Sequence, residues 1–65
     1  MKIIVNGQMH EIGASSLDAV LVELGYGEAV VATALNGRFV PQAARDRQEL
    51  RDGDCVEVVA PMQGG

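Results

Sequence analysis

Residues 15–25 read SSLDAVLVELG, the one stretch of the chain whose apolar residues recur with a helical period. Leu17, Val20, Leu21 and Leu24 fall at i, i+3, i+4 and i+7, so they share one stripe that must be buried against another layer. Ser15 is placed to accept a hydrogen bond from the first turn, and Asp18, three residues on, suits the positive end of the helix dipole. Gly25 can take the left-handed conformation that closes a helix. On either side of this helix the pattern changes to that of strands.

Upstream, KIIVN (2–6) is apolar and largely β-branched, which suits a strand covered on both faces, and Asn6-Gly7 is a tight-turn signal. The returning arm, Met9 to Ile12, alternates loosely and reads as a short strand near an edge. Downstream, AVVATALNGRFV (29–40) alternates about a second such turn, Asn36-Gly37, and Pro41 ends the returning strand. Residues 42–50 are polar and irregular, with room for a short helical turn. Asp52-Gly53-Asp54 is a turn, and CVEVV (55–59) is a final strand with Val56 and Val58 on one face and Cys55, Glu57 and Val59 on the other.

One helix and four to five short strands make a two-layer α+β domain, a mixed sheet with a crossover helix packed on it. The crossover would let the strand after the helix lie parallel to an earlier one. The order strand, strand, helix, strand, strand, strand is that of a ubiquitin-like β-grasp. It occupies residues 1–65 as one domain, with residues 60–65 as a flexible tail beyond the last strand.

The chain has 65 residues, and a domain of this size buries only about 60% of the surface its unfolded form exposes. One cysteine excludes an internal disulfide, and one histidine with one cysteine cannot fill a four-ligand zinc site. Asp52 and Asp54 flank a turn glycine but supply too few oxygens for calcium, so no metal is expected. The small core must therefore hold the fold alone. Nine acidic residues against five basic ones give a formal net charge of −4, and Arg45, Arg47 and Arg51 alternate with Asp46, Glu49 and Asp52. Clustered Lys and Arg are what phosphate backbones require, so nucleic acid is not an expected partner. No apolar run reaches the ~20 residues of a membrane span, and the opening MKIIVNG lacks the form of a signal peptide, so the chain reads as soluble and cytoplasmic, with no membrane partner.

MKIIVNG at the start, ALNGRFVP in the middle, LRDGDCVEVVAPMQGG at the finish and the spacing between them resemble the ThiS family of sulfur carriers across the whole chain. A terminal diglycine alone is a weak signal; a diglycine a few residues past the closing strand of a β-grasp is a strong one. Arg45 stands where many members carry Trp or another aromatic, and Cys55 where Arg or another polar residue is common. MoaD-type carriers of molybdopterin synthesis are similar, and a ubiquitin-like modifier or a noncovalent adaptor are the alternatives from other classes.

The resemblance implies that the reacting group is the main-chain carboxylate of Gly65, ionised at neutral pH and nucleophilic toward an activated phosphate. A ThiF-type adenylating enzyme would use ATP to make an acyl-adenylate there, and a cysteine desulfurase relay would supply the sulfur that displaces AMP. The resulting thiocarboxylate would serve a ThiG-type thiazole synthase in thiamine biosynthesis. The chain is then a cosubstrate with no catalytic residue and no bound cofactor. Gly65 lacks a β-carbon beside the reacting carbonyl, and Gly64 takes backbone angles closed to other residues in a narrow channel. Met62 and Gln63 join Gly64 as the residues a partner recognises. Residues 60–65 span roughly 20 Å when extended, at about 3.3 Å each. Ordering four free residues costs about 4–8 kcal/mol, so docking needs apolar contact from the globular part, with Phe39, Val59 and Met62 as candidates. Pro61 would stiffen the exit from the strand.

A disordered terminus is the duller reading of Gly64 and Gly65, and the matching order of elements favours a working end. Cys55 could carry a persulfide or act as a nucleophile, but a low-pKa thiol needs a nearby cation or helix N-terminus and strand alternation places Cys55 with Glu57, so it reads as a structural thiol. His10 has no Ser, Cys or Asp motif around it and reads as an ordinary strand or turn residue.

Overall fold

The structure is a computed structural model that describes residues 1–60. Its elements are β1 (Lys2–Val5), β2 (Gln8–Glu11), α1 (Leu17–Glu23), β3 (Ala32–Leu35), β4 (Arg38–Val40), a 3-10 helix (Gln42–Arg47) and β5 (Cys55–Val59). The five strands form one sheet in the order β2-β1-β5-β3-β4, with α1 and the 3-10 helix packed together. This is the α+β arrangement read from the sequence, five strands and one helix.

Both hairpins turn where Asn-Gly occurs. Asn6 and Asn36 each have φ 50°, followed by Gly7 at 83° and Gly37 at 85°, the pair of positive angles that a two-residue type I′ turn requires. The turns set the registers, pairing Val5 with Gln8 in the first hairpin and Leu35 with Arg38 in the second. β5 enters between the hairpins, parallel to β1 through Ile4 with Cys55 and Val5 with Val56, and antiparallel to β3 from Ala32 with Val59 to Leu35 with Val56.

The parallel partner is thus not the strand directly after the helix. β3 runs antiparallel to β5 and so to β1; only after the second hairpin and the 3-10 segment does the chain come back alongside β1. The helix starts one residue later than expected: Ser16, not Ser15, is its N-cap, and Ser16 Oγ accepts from Ala19 N at 3.3 Å. Ser16 is extended and bridges to Glu49 in the segment before β5: the Ser15 carbonyl accepts from Leu50 N and Leu17 N donates to the Gln48 carbonyl, both at 2.8 Å. At the far end Gly25, φ 95°, closes α1 as expected: its N donates to the Val22 carbonyl and Tyr26 N to that of Leu21, the paired bonds of a Schellman motif.

The core is Ile3, Val5, Ile12, Leu17, Val20, Leu21, Val31, Val40, Leu50, Val56 and Val58. Leu24, at the helix end, is only half-buried and packs against its margin. β1 is not covered on both faces, because α1 and the 3-10 helix lie on one side of the sheet. Ile3 and Val5 are buried, while Ile4 is half-buried and Lys2 exposed on the other side. The polar 42–50 stretch holds the 3-10 helix, and its Arg45 is 7% exposed. Arg45 Nε donates to Thr33 Oγ1 at 3.1 Å and Nη2 to the Val31 carbonyl at 2.6 Å, and Thr33 Oγ1 donates to the Val40 carbonyl. β4 has ended before Pro41, so Arg45 gives Val31 the donor that a longer β4 would have provided.

Candidate functional site

Strand alternation sorts the sheet into an inner and an outer face. Thr33, Val40 and Val58 are paired across β3, β4 and β5 and buried, so their neighbours in sequence, Ala32, Ala34, Phe39, Glu57 and Val59, face outward. Phe39 pairs with Ala34, and Val59 with Ala32. The two apolar side chains proposed from sequence as partner contacts therefore share one face, two strands apart, with small alanines between them. They are 68% and 62% exposed, which is a large solvated area for residues of this kind in a chain with one Phe and no Trp.

The same face extends to the other hairpin. Ile4 pairs with Met9 on one side and with Cys55 on the other, and Met9 is 67% exposed. Met9 was not singled out in sequence. The inward alternation of Ile3 and Val5 together with the Asn6-Gly7 register places it outward, and that combination is the signal by which it can be found. A flexible thioether beside Ile4 extends the apolar surface that Phe39 and Val59 begin. Glu57 lies within it, beside Ala34.

Val59 is the last residue of β5, and the expected working segment follows it in sequence. Met62, Gln63, Gly64 and Gly65, the recognition and reaction positions expected from sequence, lie outside the described residues. Cys55 is a free, exposed thiol at the opposite end of β5, its backbone N donating to Asn36 Oδ1 at 2.9 Å. His10 is a half-buried β2 residue paired with Ile3. Among the described residues no group of three or more His, Cys, Asp or Glu side chains comes together to hold a metal, and no helix is long and apolar enough to cross a membrane.

The family model of the ThiS family matches residues 3–65. The chain belongs to the ThiS family. ThiS relatives include the sulfur carrier protein ThiS of Thermus thermophilus, 45% identical over 62 residues that cover 94% of this chain and 95% of that one. A thiazole synthase of Paramagnetospirillum magneticum is 36% identical over 66 aligned residues, which take in all of this chain and 20% of the relative, so the chain spans about a fifth of that protein's length. The crystal structure of a thiamine biosynthesis protein (ThiS) from Geobacter metallireducens superposes with a TM-score of 0.83 at 33% identity, each chain covered in full. A solution structure of a thiamine biosynthesis protein from the same organism gives 0.80 at 29% identity, covering all of this chain and 88% of that one. The β-grasp and the ThiS resemblance drawn from the sequence are thereby both borne out.

Proposed function

We propose that this protein is the sulfur carrier of thiazole formation in thiamine biosynthesis, a cosubstrate whose chemistry takes place on the C-terminal carboxylate of Gly65. The observation that carries the reading is the ThiS match running to residue 65, which takes in both glycines beyond β5. The 45% identity to a sulfur carrier over nearly the whole of both chains supports it further. Similarity of the entire chain to one fifth of a protein named thiazole synthase supports that enzyme class as the acceptor of the sulfur.

A carboxylate oxygen of Gly65 attacks the α-phosphorus of ATP in a ThiF-type adenylating enzyme and expels pyrophosphate, leaving an acyl-adenylate. The terminal sulfur of a persulfide on the cysteine desulfurase relay attacks the carbonyl carbon and AMP leaves with the bonding pair, giving an acyl disulfide. A second partner thiol then attacks the relay-side sulfur, forming a disulfide with the relay cysteine and releasing the Gly65 thiocarboxylate. The thiocarboxylate gives its sulfur to the thiazole precursor on thiazole synthase, and water takes its place on the carbonyl, returning Gly65 to the free carboxylate. All of this is carried out by groups of the partners and by the main chain of Gly65, with Gly64, Gln63 and Met62 threaded into the partner and Phe39, Val59 and Met9 holding the outer face against it.

Incubation with an adenylating enzyme, ATP and a sulfur source is expected to exchange one oxygen of Gly65 for sulfur, read by intact-mass spectrometry. Deletion of Gly65 abolishes the gain and leaves the fold intact. Loss of sulfur uptake in Cys55→Ala instead would move the chemistry to the thiol and overturn the reading.

A further inference from the structure

β1 is too short to accompany β5 to its end. The parallel ladder between them runs Ile4 N to the Asp54 carbonyl and Asn6 N to the Val56 carbonyl, both at 2.9 Å, and then β1 turns away at Asn6-Gly7. The next rung would fall at Val58. It is supplied by a side chain: Asn6 Nδ2 donates to the Val58 carbonyl at 3.0 Å, and Val58 N donates to Asn6 Oδ1 at 2.8 Å. One primary amide thus mimics the missing backbone unit, and only one orientation of the amide satisfies both bonds. Asn also tolerates the positive φ that the turn demands at this position, so a single residue type meets both requirements.

We infer that Asn6 is a positioning residue for the reaction at Gly65: its amide clamps Val58, the residue before the last of β5, and so fixes the end of the strand that the reacting segment follows in sequence. The inference rests on the carrier reading above. β5 is held on its β3 side as far as Val59, which pairs with Ala32. Without the Asn6 amide the strand would have no partner on the β1 side beyond Val56 among the described residues, and the end of β5 would be held from one edge alone.

The molecule contains its own control. Asn36 occupies the same place in the same kind of turn, with the same φ of 50°, and its side chain likewise holds β5, accepting from Cys55 N at 2.9 Å. It grips the end of the strand remote from the reacting segment. Glycine accepts the positive φ at both sites, so Asn6→Gly and Asn36→Gly each remove one amide and keep the turn.

The experiment measures carrier-dependent ATP–pyrophosphate exchange with a ThiF-type enzyme, beside amide hydrogen exchange of the free protein. In Asn6→Gly the Val58 amide is expected to exchange faster, with kcat down about tenfold and KM changed far less, since misaligned reactants lower the fraction of productive encounters. In Asn36→Gly the Cys55 amide exchanges faster and kcat stays at the wild-type value. Equal kcat in the two variants, or a Val58 amide unaffected by Asn6→Gly, overturns the positioning role and leaves the carrier reading standing. A wild-type protein that supports no exchange at all overturns the carrier reading, and the role of Asn6 in it.

Discussion

Arg45 loses almost all its contact with water in the fold, and no carboxylate among the described residues forms an ion pair with it; the ion pair found among those residues is that of the Met1 amino group with Glu11, elsewhere in the molecule. Its charge is carried by two neutral acceptors, Thr33 Oγ1 and the Val31 carbonyl. Taking the guanidinium away strands the Val31 carbonyl in the interior, whereas Thr33 keeps its own bond to the Val40 carbonyl. Arg45→Ala is therefore expected to lower stability by about 1–3 kcal/mol, the cost of an unsatisfied buried group, with lost packing of the alkyl stem added to it. Arg45→Met keeps that stem volume and removes a desolvated charge, so it should lie closer to the wild type. Urea denaturation of the three proteins decides the matter, and equal midpoints would show that the two hydrogen bonds contribute nothing net. That an arginine is buried was not legible in the sequence, because its acceptors are chosen by where β4 stops.

The helix and the two hairpins were legible because each carries its own local signal. Leu17, Val20 and Leu21 repeat at the helical period, and Asn-Gly admits few turns other than the one found. What local signals missed was set by pairing with distant segments. Ser16 takes the cap in place of Ser15 because its bridge to Glu49 holds the chain extended up to the first helical residue, and β1 lacks a second cover because both helical segments lie on one side. Of the candidate site, Phe39 and Val59 were legible from alternation alone, while Met9 required the hairpin register and Asn6 the mismatch in length between β1 and β5. Burial separates the members of the helix stripe in a way their spacing does not. Leu17 is fully buried and Leu24 only half. Leu17→Ala should cost about 2–5 kcal/mol, against a total of roughly 3–10 for a chain of this length. Leu24→Ala should cost distinctly less, and thermal unfolding of the pair followed by circular dichroism would expose a wrong ranking.

At the scale of the whole molecule the two faces of the sheet differ in burial, one packed and one in water, and the role proposed for the outer face can be tested without touching the C-terminal residues. The inner face holds the fold. The outer face carries Phe39, Val59 and Met9, all largely exposed, which add little to folding because they remain in water. If that face docks onto the adenylating enzyme, its apolar area is buried only in the complex, and its removal should appear in affinity and not in stability. Phe39→Thr and Val59→Thr retain strand propensity, so each should unfold within about 0.5 kcal/mol of the wild type, as exposed substitutions do. Their complexes should weaken at least about tenfold for Phe39→Thr, the larger aromatic anchor, and less for Val59→Thr. Val22 supplies the comparison: it is 62% exposed, as Val59 is, but sits on α1, on the opposite side of the sheet. Val22→Thr removes a similar exposed side chain and should leave the affinity unchanged. Calorimetric titration of each variant against the enzyme distinguishes the cases, and a Val22 effect as large as that of Phe39 would mean that the enzyme grips the helix side instead.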